Sequence, residues 1–306
     1  MNPSPEPEVE IIDLVDRAAG GGRREAIAED SVLPLKHFKL SAQPFADSVN
    51  PQFFYRTEAH EEAFLAMKQC VEDHVSLGLT TAVSGTGKTL LTQVLLQELD
   101  PQRYHAILVL AYPGMARTAL LKEILAELGV KEGAERAGIH RLIDAIQRRI
   151  VELFQRGVRL VIIIDEVHFL NVEALHLLRT LSNIEIPERK LVTVLLFGEQ
   201  VFLTKMEHPT YRSIFSRMFA RTEIRPLRRD EVEQYVKFRL LVAGGRPGLI
   251  SPEALDPLTE ASRGIPREIN RICHNALALA ARRGASGIGP ELIGLIPPAM
   301  PLERRR

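Results

Sequence analysis

The residues best suited to chemistry lie in Ala82-Val83-Ser84-Gly85-Thr86-Gly87-Lys88-Thr89, a phosphate-loop pattern ending in Gly-Lys-Thr. The β-type run Leu79-Thr80-Thr81-Ala82 precedes it and the apolar run Leu90-Leu91-Thr92-Gln93-Val94-Leu95-Leu96 follows. That is the strand–loop–helix setting such a loop requires. Backbone N–H groups at a helix N-terminus point at an anion, and the helix dipole favours it. Gly85 and Gly87 let the backbone approach closely and take positive φ. In this reading Ser84, Gly85, Thr86, Gly87, Lys88, Thr89 and Leu90 surround the phosphates of ATP. Lys88 gives a charge to the β- and γ-phosphates, and Thr89 gives a hydroxyl to Mg²⁺. The plainer alternative, a Gly-rich turn capping a core helix, is weakened by Gly-Lys-Thr in that context. Ala82 stands where the pattern normally has Gly, and it fits if its φ is ordinary.

A second cluster follows in Leu160-Val161-Ile162-Ile163-Ile164-Asp165-Glu166. A central strand buried on both faces must be apolar along its length. Its acids then sit at the carboxyl end, beside the phosphate loop. Asp165 is expected to hold Mg²⁺, directly or through water, and Glu166 to orient and polarise an attacking water. The bland alternative is that Asp-Glu merely opens the next loop. His168 reads as a structural histidine more readily than as a relay. Another buried strand, Leu191–Phe197, ends in Gly198-Glu199-Gln200. Glu199, Gln200 and Asn183 are candidates for sensing the γ-phosphate. In Tyr211–Arg221, Arg217 and Arg221 are four apart and are expected to share a helical face. Either can be an arginine finger for a neighbouring subunit or part of a solvated basic face.

The elements that must position these groups are readable in outline. The strand Ala106–Leu110 is followed by helical patterns at Met115–Leu128 and Ile139–Gln155, the latter stopped by Gly157. A helix over Val172–Leu181 leads to the strand at Leu191. From Arg229 onward the pattern is helical, with Ser251 before Pro252 as an expected N-cap and a last long helix, Arg267–Arg282. Arg267 in the first turn is oddly placed for the helix dipole, and a nucleotide phosphate would compensate it. Phe38, Phe45, Phe53 and Phe54 either wall an adenine pocket or pack an N-terminal segment on the sheet. The expected division is a flexible extension over 1–35, an α/β core over 36–227, a helical lid over 228–296 and a basic tail over 297–306. Val9, Ile12 and Leu14 fit a short amphipathic helix or a disordered tail.

Bulk composition excludes little. The chain has 306 residues, 39 Lys+Arg and 39 Asp+Glu, so no global charge draws it to nucleic acid or membrane. Cys70 and Cys273 lack metal spacing and suit a reducing compartment. No apolar run approaches the length of a membrane span, and the N-terminus lacks the basic and apolar regions of a signal peptide. A cytoplasmic location is the expectation.

Taken in order, these motifs resemble the AAA+ class of P-loop ATPases, and more narrowly the ExeA/GspA-type ATPases of bacterial secretion and envelope systems. The residues carrying the likeness are Phe38-x-Leu40…Pro44-Phe45, Phe53-Phe54…His60-x-x-Ala63, Gly85–Thr89, Asp165-Glu166, Leu178-Arg179…Leu181-Ser182-Asn183, Pro226-Leu227 and Gly264-Ile265-Pro266-Arg267-x-Ile269-Asn270. The resemblance spans roughly residues 35 to 282. It implies an α/β fold of three layers with strand order 5-1-4-3-2 and a C-terminal all-α lid. It also implies hydrolysis of ATP with Mg²⁺ and assembly into homo-oligomeric rings or filaments. Arg217 becomes the finger by position, completing a catalytic set with Glu166 and Lys88, and Arg267 becomes the lid sensor. The sequence departs from the pattern at Ala82, at His168 where many members carry Gln, and at Gly198-Glu199-Gln200 where Gly-Gln-Pro is usual. Larger relatives carry a membrane span and a peptidoglycan-binding region, which are not expected after Arg282. Two other readings stay open. One is a DNA-binding transposition regulator that recruits a transposase, with Arg148, Arg149, Arg179 or Lys190 lining the DNA. The other is a nucleotide-gated scaffold with little turnover.

Overall fold

The computed structural model describes residues 33–48, 50–130 and 138–297. The short helix expected around Val9–Val15 and the tail Glu303–Arg306 lie outside the described residues. The chain divides into two compact units. One runs from Ser48 to Leu227 and includes Ile265–Arg267, and the other holds the remainder.

The first unit is built on a sheet of five parallel strands: β1 (Leu77–Ala82), β2 (Tyr104–Leu110), β3 (Arg159–Asp165), β4 (Val192–Glu199) and β5 (Met218–Ile224). Their order is β2-β3-β4-β1-β5, as the resemblance implies. Every residue of β3 is buried, and so is all of β4 except Glu199. That follows from helices covering both faces of a parallel sheet. β5 lies at an edge and exposes alternate residues, so its sequence has no continuous apolar run. The helices are α1 (Glu58–Glu72), α2 (Lys88–Glu98), α3 (Arg117–Glu127), α4 (Ile139–Gln155), α5 (Val172–Ser182) and α6 (Val201–Glu207). α4 buries one stripe, Leu142, Ile146, Ile150 and Leu153, and ends before Gly157, whose φ is 74°. The stripe recurs at the helical period, and glycine reaches that left-handed φ without strain. A two-residue hairpin, Glu185–Ile186 with Arg189–Lys190, precedes β4.

The second unit is helical: α7 (Arg229–Val242), α8 (Leu255–Ser262), most of α9 (Pro266–Arg282) and α10 (Pro290–Gly294). The described residues up to Asp47 also cluster here, which differs from the expectation that the core begins near residue 36. Buried Arg239 explains it, donating from Nε to the Pro44 carbonyl and from Nη2 to the Ala46 carbonyl. The Ser41 N–H adds a 2.8 Å bond to the Ala243 carbonyl, and Leu40 and Phe45 are buried. Phe45 therefore belongs to the helical unit, whereas Phe54 packs in the sheet unit against the cluster of Phe64, Leu91 and Phe197. Ser251 makes no side-chain cap, and Pro252–Ala254 is a 3-10 turn before α8. None of the described helices is long and apolar enough to cross a membrane.

Candidate functional site

The phosphate loop joins β1 to α2. Ala82 is the last residue of β1, extended and buried, so a Cβ at the motif's first position meets no strain. Gly85 (φ 83°) and Gly87 (φ 105°) take left-handed conformations that a side chain would oppose. A Cβ on Gly85 would also lie 2.8 Å from Arg267 Cβ. The first intrahelical bond of α2 runs from Leu91 N–H to Gly87 O at 3.0 Å. Its N-terminal N–H groups, Lys88 to Leu90, thus have no acceptor within the helix and face the loop. Lys88 itself is buried, and Ser84 is exposed.

The second motif arrives beside this loop because β3 is separated from β1 only by β4. The Thr89 hydroxyl donates to Asp165 Oδ2 at 3.0 Å, bringing together the two residues expected to share a metal. Asp165 Oδ1 accepts the Glu166 N–H at 2.8 Å. Glu166 is left-handed (φ 55°, ψ 36°), an uncommon state for a side-chain-bearing residue. Its Oε2 lies 3.2 Å from His168 Nδ1 but outside hydrogen-bond geometry, and is a buried oxygen without a donor. Burial raises the Glu166 pKa above the ordinary carboxylate value. Lys88 opposes that rise and the negative charge of Asp165 adds to it, which puts all three in one electrostatic neighbourhood.

Glu199 closes the cluster. Its N–H approaches His168 Nδ1 at 3.4 Å, and ligand atoms of Glu166, His168 and Glu199 lie within 4.8 Å of one another. The Gln200 side chain instead bonds the Glu223 carboxylate on β5, so of the two candidates at the end of β4 only Glu199 joins the acidic cluster. Asn183 ends α5. His60 was not assigned a role by sequence. It sits buried at the third position of α1 in a reciprocal cap with Thr57, and its Nε2 lies 2.8 Å from the Thr86 carbonyl. The His60–Phe54 edge-to-face pair, with centroids 5.3 Å apart, fixes the ring. The signal was the Thr57-x-x-His60 spacing, since a side chain three after an N-cap can turn back onto the cap.

Arg267 bonds the loop directly, its N–H reaching Gly85 O at 3.1 Å and its Nη1 reaching Ser84 Oγ at 3.5 Å. Arg217 and Arg221 do not share a helical face. The helix there ends at Phe215, Arg217 lies in a turn, and Arg221 is on β5 with its guanidinium 4.4 Å from the Phe215 ring centroid. An exposed strand whose side chains alternate explains the misreading. Arg217 is exposed and forms no ion pair among the described residues. Leu77 pairs with Met218 and Ala82 with Ile224, so Arg217 stands at the rim opposite its own phosphate loop. The strand length makes that separation roughly 20 Å.

The residues present suit a magnesium-bound nucleoside triphosphate. A hydroxyl and a carboxylate meet as hard oxygen donors, a buried lysine stands beside them, and a buried carboxylate oxygen has no protein donor. An AAA domain family model matches residues 71–206. The chain is 36% identical over 251 residues to general secretion pathway protein A of Aeromonas hydrophila. The match covers 82% of this chain, and the chain spans only 45% of that protein's length. Among solved structures, the Aeropyrum pernix ORC2 protein aligns with TM-score 0.63 at 16% identity, over 83% of this chain and 71% of its own. Drosophila ORC bound to DNA aligns with TM-score 0.59 at 17% identity, over 86% and 64%. The Thermotoga maritima RuvB Holliday junction branch migration motor aligns at 0.51 and 18%, over 79% and 68%. These last three likenesses bear on the fold alone.

Proposed function

The chain contains an AAA domain in a P-loop NTPase fold and is similar to general secretion pathway protein A, and from that premise we propose that it is an ATPase of ExeA/GspA type. It binds ATP with Mg²⁺ and hydrolyses it within a homo-oligomer, ring or filament, acting on a protein partner of a secretion or envelope system. The observation that carries this reading is the 3.0 Å contact between Thr89 and Asp165, with Glu166 tied to the same carboxylate. Ser84–Leu90 hold the phosphates, Thr89 and Asp165 the metal, and Arg267 reports on the loop. When bound, the metal supplies Lewis-acid polarisation of the phosphates. Glu166 receives the water's proton through the oxygen that lacks a donor. Arg217 acts on the neighbouring subunit's nucleotide, because its own is at the far rim.

The DNA-binding reading has less support. Arg149 pairs with Glu152 at 3.1 Å and Lys190 pairs with Glu185, which offsets two of the four cations proposed to line DNA. The buried, donor-less Glu166 oxygen favours turnover over a passive scaffold. The test is steady-state phosphate release beside nucleotide binding for Glu166→Gln. Turnover should fall about 10²- to 10⁴-fold with binding retained. Wild-type turnover in that variant removes Glu166 from the role.

A further inference from the structure

The amino-terminal rim of the sheet carries a cavity of about 140 Å³ whose lining includes His74, Arg103, Tyr104, Arg159, Arg189 and Lys190. Tyr104 and Arg159 open β2 and β3 and are register partners. Arg103 immediately precedes β2, and Arg189 and Lys190 form the hairpin strand leading to β4. His74, just before β1, is left-handed at φ 58°. Because the strands are parallel, all these side chains enter from the end opposite the phosphate loop.

Arg159 is only 8% exposed, yet its hydrogen bonds go to neutral acceptors. Nη1 donates to the Val71 carbonyl and Nη2 to the Thr193 hydroxyl, while Nε is buried without a partner. A buried guanidinium without a carboxylate carries an uncompensated desolvation cost. Burial pushes its pKa down to about 10. His74 Nδ1 is also buried and unpartnered. The His74 pKa is lowered by burial and then by Arg159, Arg189 and Arg103, so three guanidinium groups act on one imidazole. Asp73 acts on it in the opposite sense. Arg103 and Arg189 rest over the rings of Tyr104 and Phe154, at 5.3 and 5.5 Å, and neither is ion-paired among the described residues. Lys190 is engaged by Glu185 and is not needed here.

We propose that this cavity binds a phosphate-type oxyanion through Arg103, Arg159, Arg189 and His74, at a site separate from the nucleotide loop. Guanidinium forks match the oxygens of such an anion, and the cavity supplies several donors with no carboxylate in its lining. The same chemistry is offered by a free oxyanion and by a phosphate of a nucleic-acid backbone.

The experiment titrates inorganic phosphate into Lys88→Ala protein, in which the loop's hold on phosphate is expected to be weakened, by calorimetry and thermal melting at constant ionic strength. The expected result is saturable binding with a rise in Tm. Affinity should be at least about tenfold weaker when Arg103→Ala and Arg189→Ala are added. Both residues are exposed, so their loss spares the core, and circular dichroism of the variant checks its folding. A short DNA duplex that displaces phosphate with steep salt dependence identifies a backbone phosphate as the ligand. Failure to displace it identifies a free oxyanion. Binding that does not saturate, or equal affinity in the folded double variant, overturns the proposal.

Discussion

At the carboxyl ends of β1, β3 and β4, Lys88 shares a small volume with Asp165, Glu166 and Glu199, whereas at the amino ends of β2 and β3 three guanidinium groups gather around His74 without a carboxylate in the lining. One rim gathers carboxylates about a single lysine, and the other gathers guanidinium groups about a single imidazole. The formal net charge of zero hides this, because composition counts charges and a parallel sheet sorts them by end. Strand direction does the sorting: whatever follows a strand lands on one rim and whatever precedes it lands on the other. Arg217 belongs to the second group, which is why it stands at the far rim from its own phosphate loop.

The contrast can be broken most severely at Arg217. Arg217→Ala should keep ATP affinity and lose about 10³- to 10⁵-fold in turnover, measured by phosphate release from the assembled protein. Mixing it with Glu166→Gln should restore part of the activity, since each variant then supplies what its neighbour lacks. No recovery at any mixing ratio counts against a shared site. Next comes Lys88→Ala, expected to weaken nucleotide binding about tenfold to a hundredfold, read by titration of a fluorescent ATP analogue. An unchanged affinity would separate the lysine from the phosphates. Gly85→Ala tests the loop backbone itself. Its φ of 83° and the crowding by Arg267 should cost about 1–3 kcal/mol in a urea melt. A neutral substitution would mean the loop relaxes freely.

The smallest effect concerns pH. Burial raises the Glu166 pKa, so the folded protein binds that proton more tightly than the unfolded chain. The ionised group therefore opposes folding fully above its raised pKa; the penalty shrinks as the pH falls through that value and is gone below the ordinary carboxylate pKa. Without nucleotide, Glu166→Gln should be more stable than wild type near neutral pH. The gain should be below about 1 kcal/mol because the side chain is partly solvated, and it should vanish in acid. Equal melting curves at both pH values would remove the burial penalty from the account.

Much of the carboxyl rim was legible in the sequence because its signals are local. The Gly-Lys-Thr loop and the Ile162–Ile164 run ending in acids each announce a strand, its direction and the chemistry at its end. The amino rim was not legible. Arg103, Arg159, Arg189 and His74 are scattered along the chain, and only the register of β2 on β3 brings two of their neighbourhoods together. β5 was misread for a related reason, since an edge strand with alternate exposure in Met218–Ile224 gives no continuous apolar run, and four-residue spacing then imitates a helix. His60 lay inside a recognised pattern, but its reach to the Thr86 carbonyl depends on how α1 packs.

The single carboxyl group of Asp165 ties two parts of the site together. One of its oxygens holds the threonine that ends the loop and the other holds the amide of a residue kept in an unfavourable twist. Relaxing that twist would swing the Glu166 side chain to a new bearing. The loop threonine and the Glu166 backbone are therefore joined through one planar group, and a displacement at the first oxygen is carried to the second.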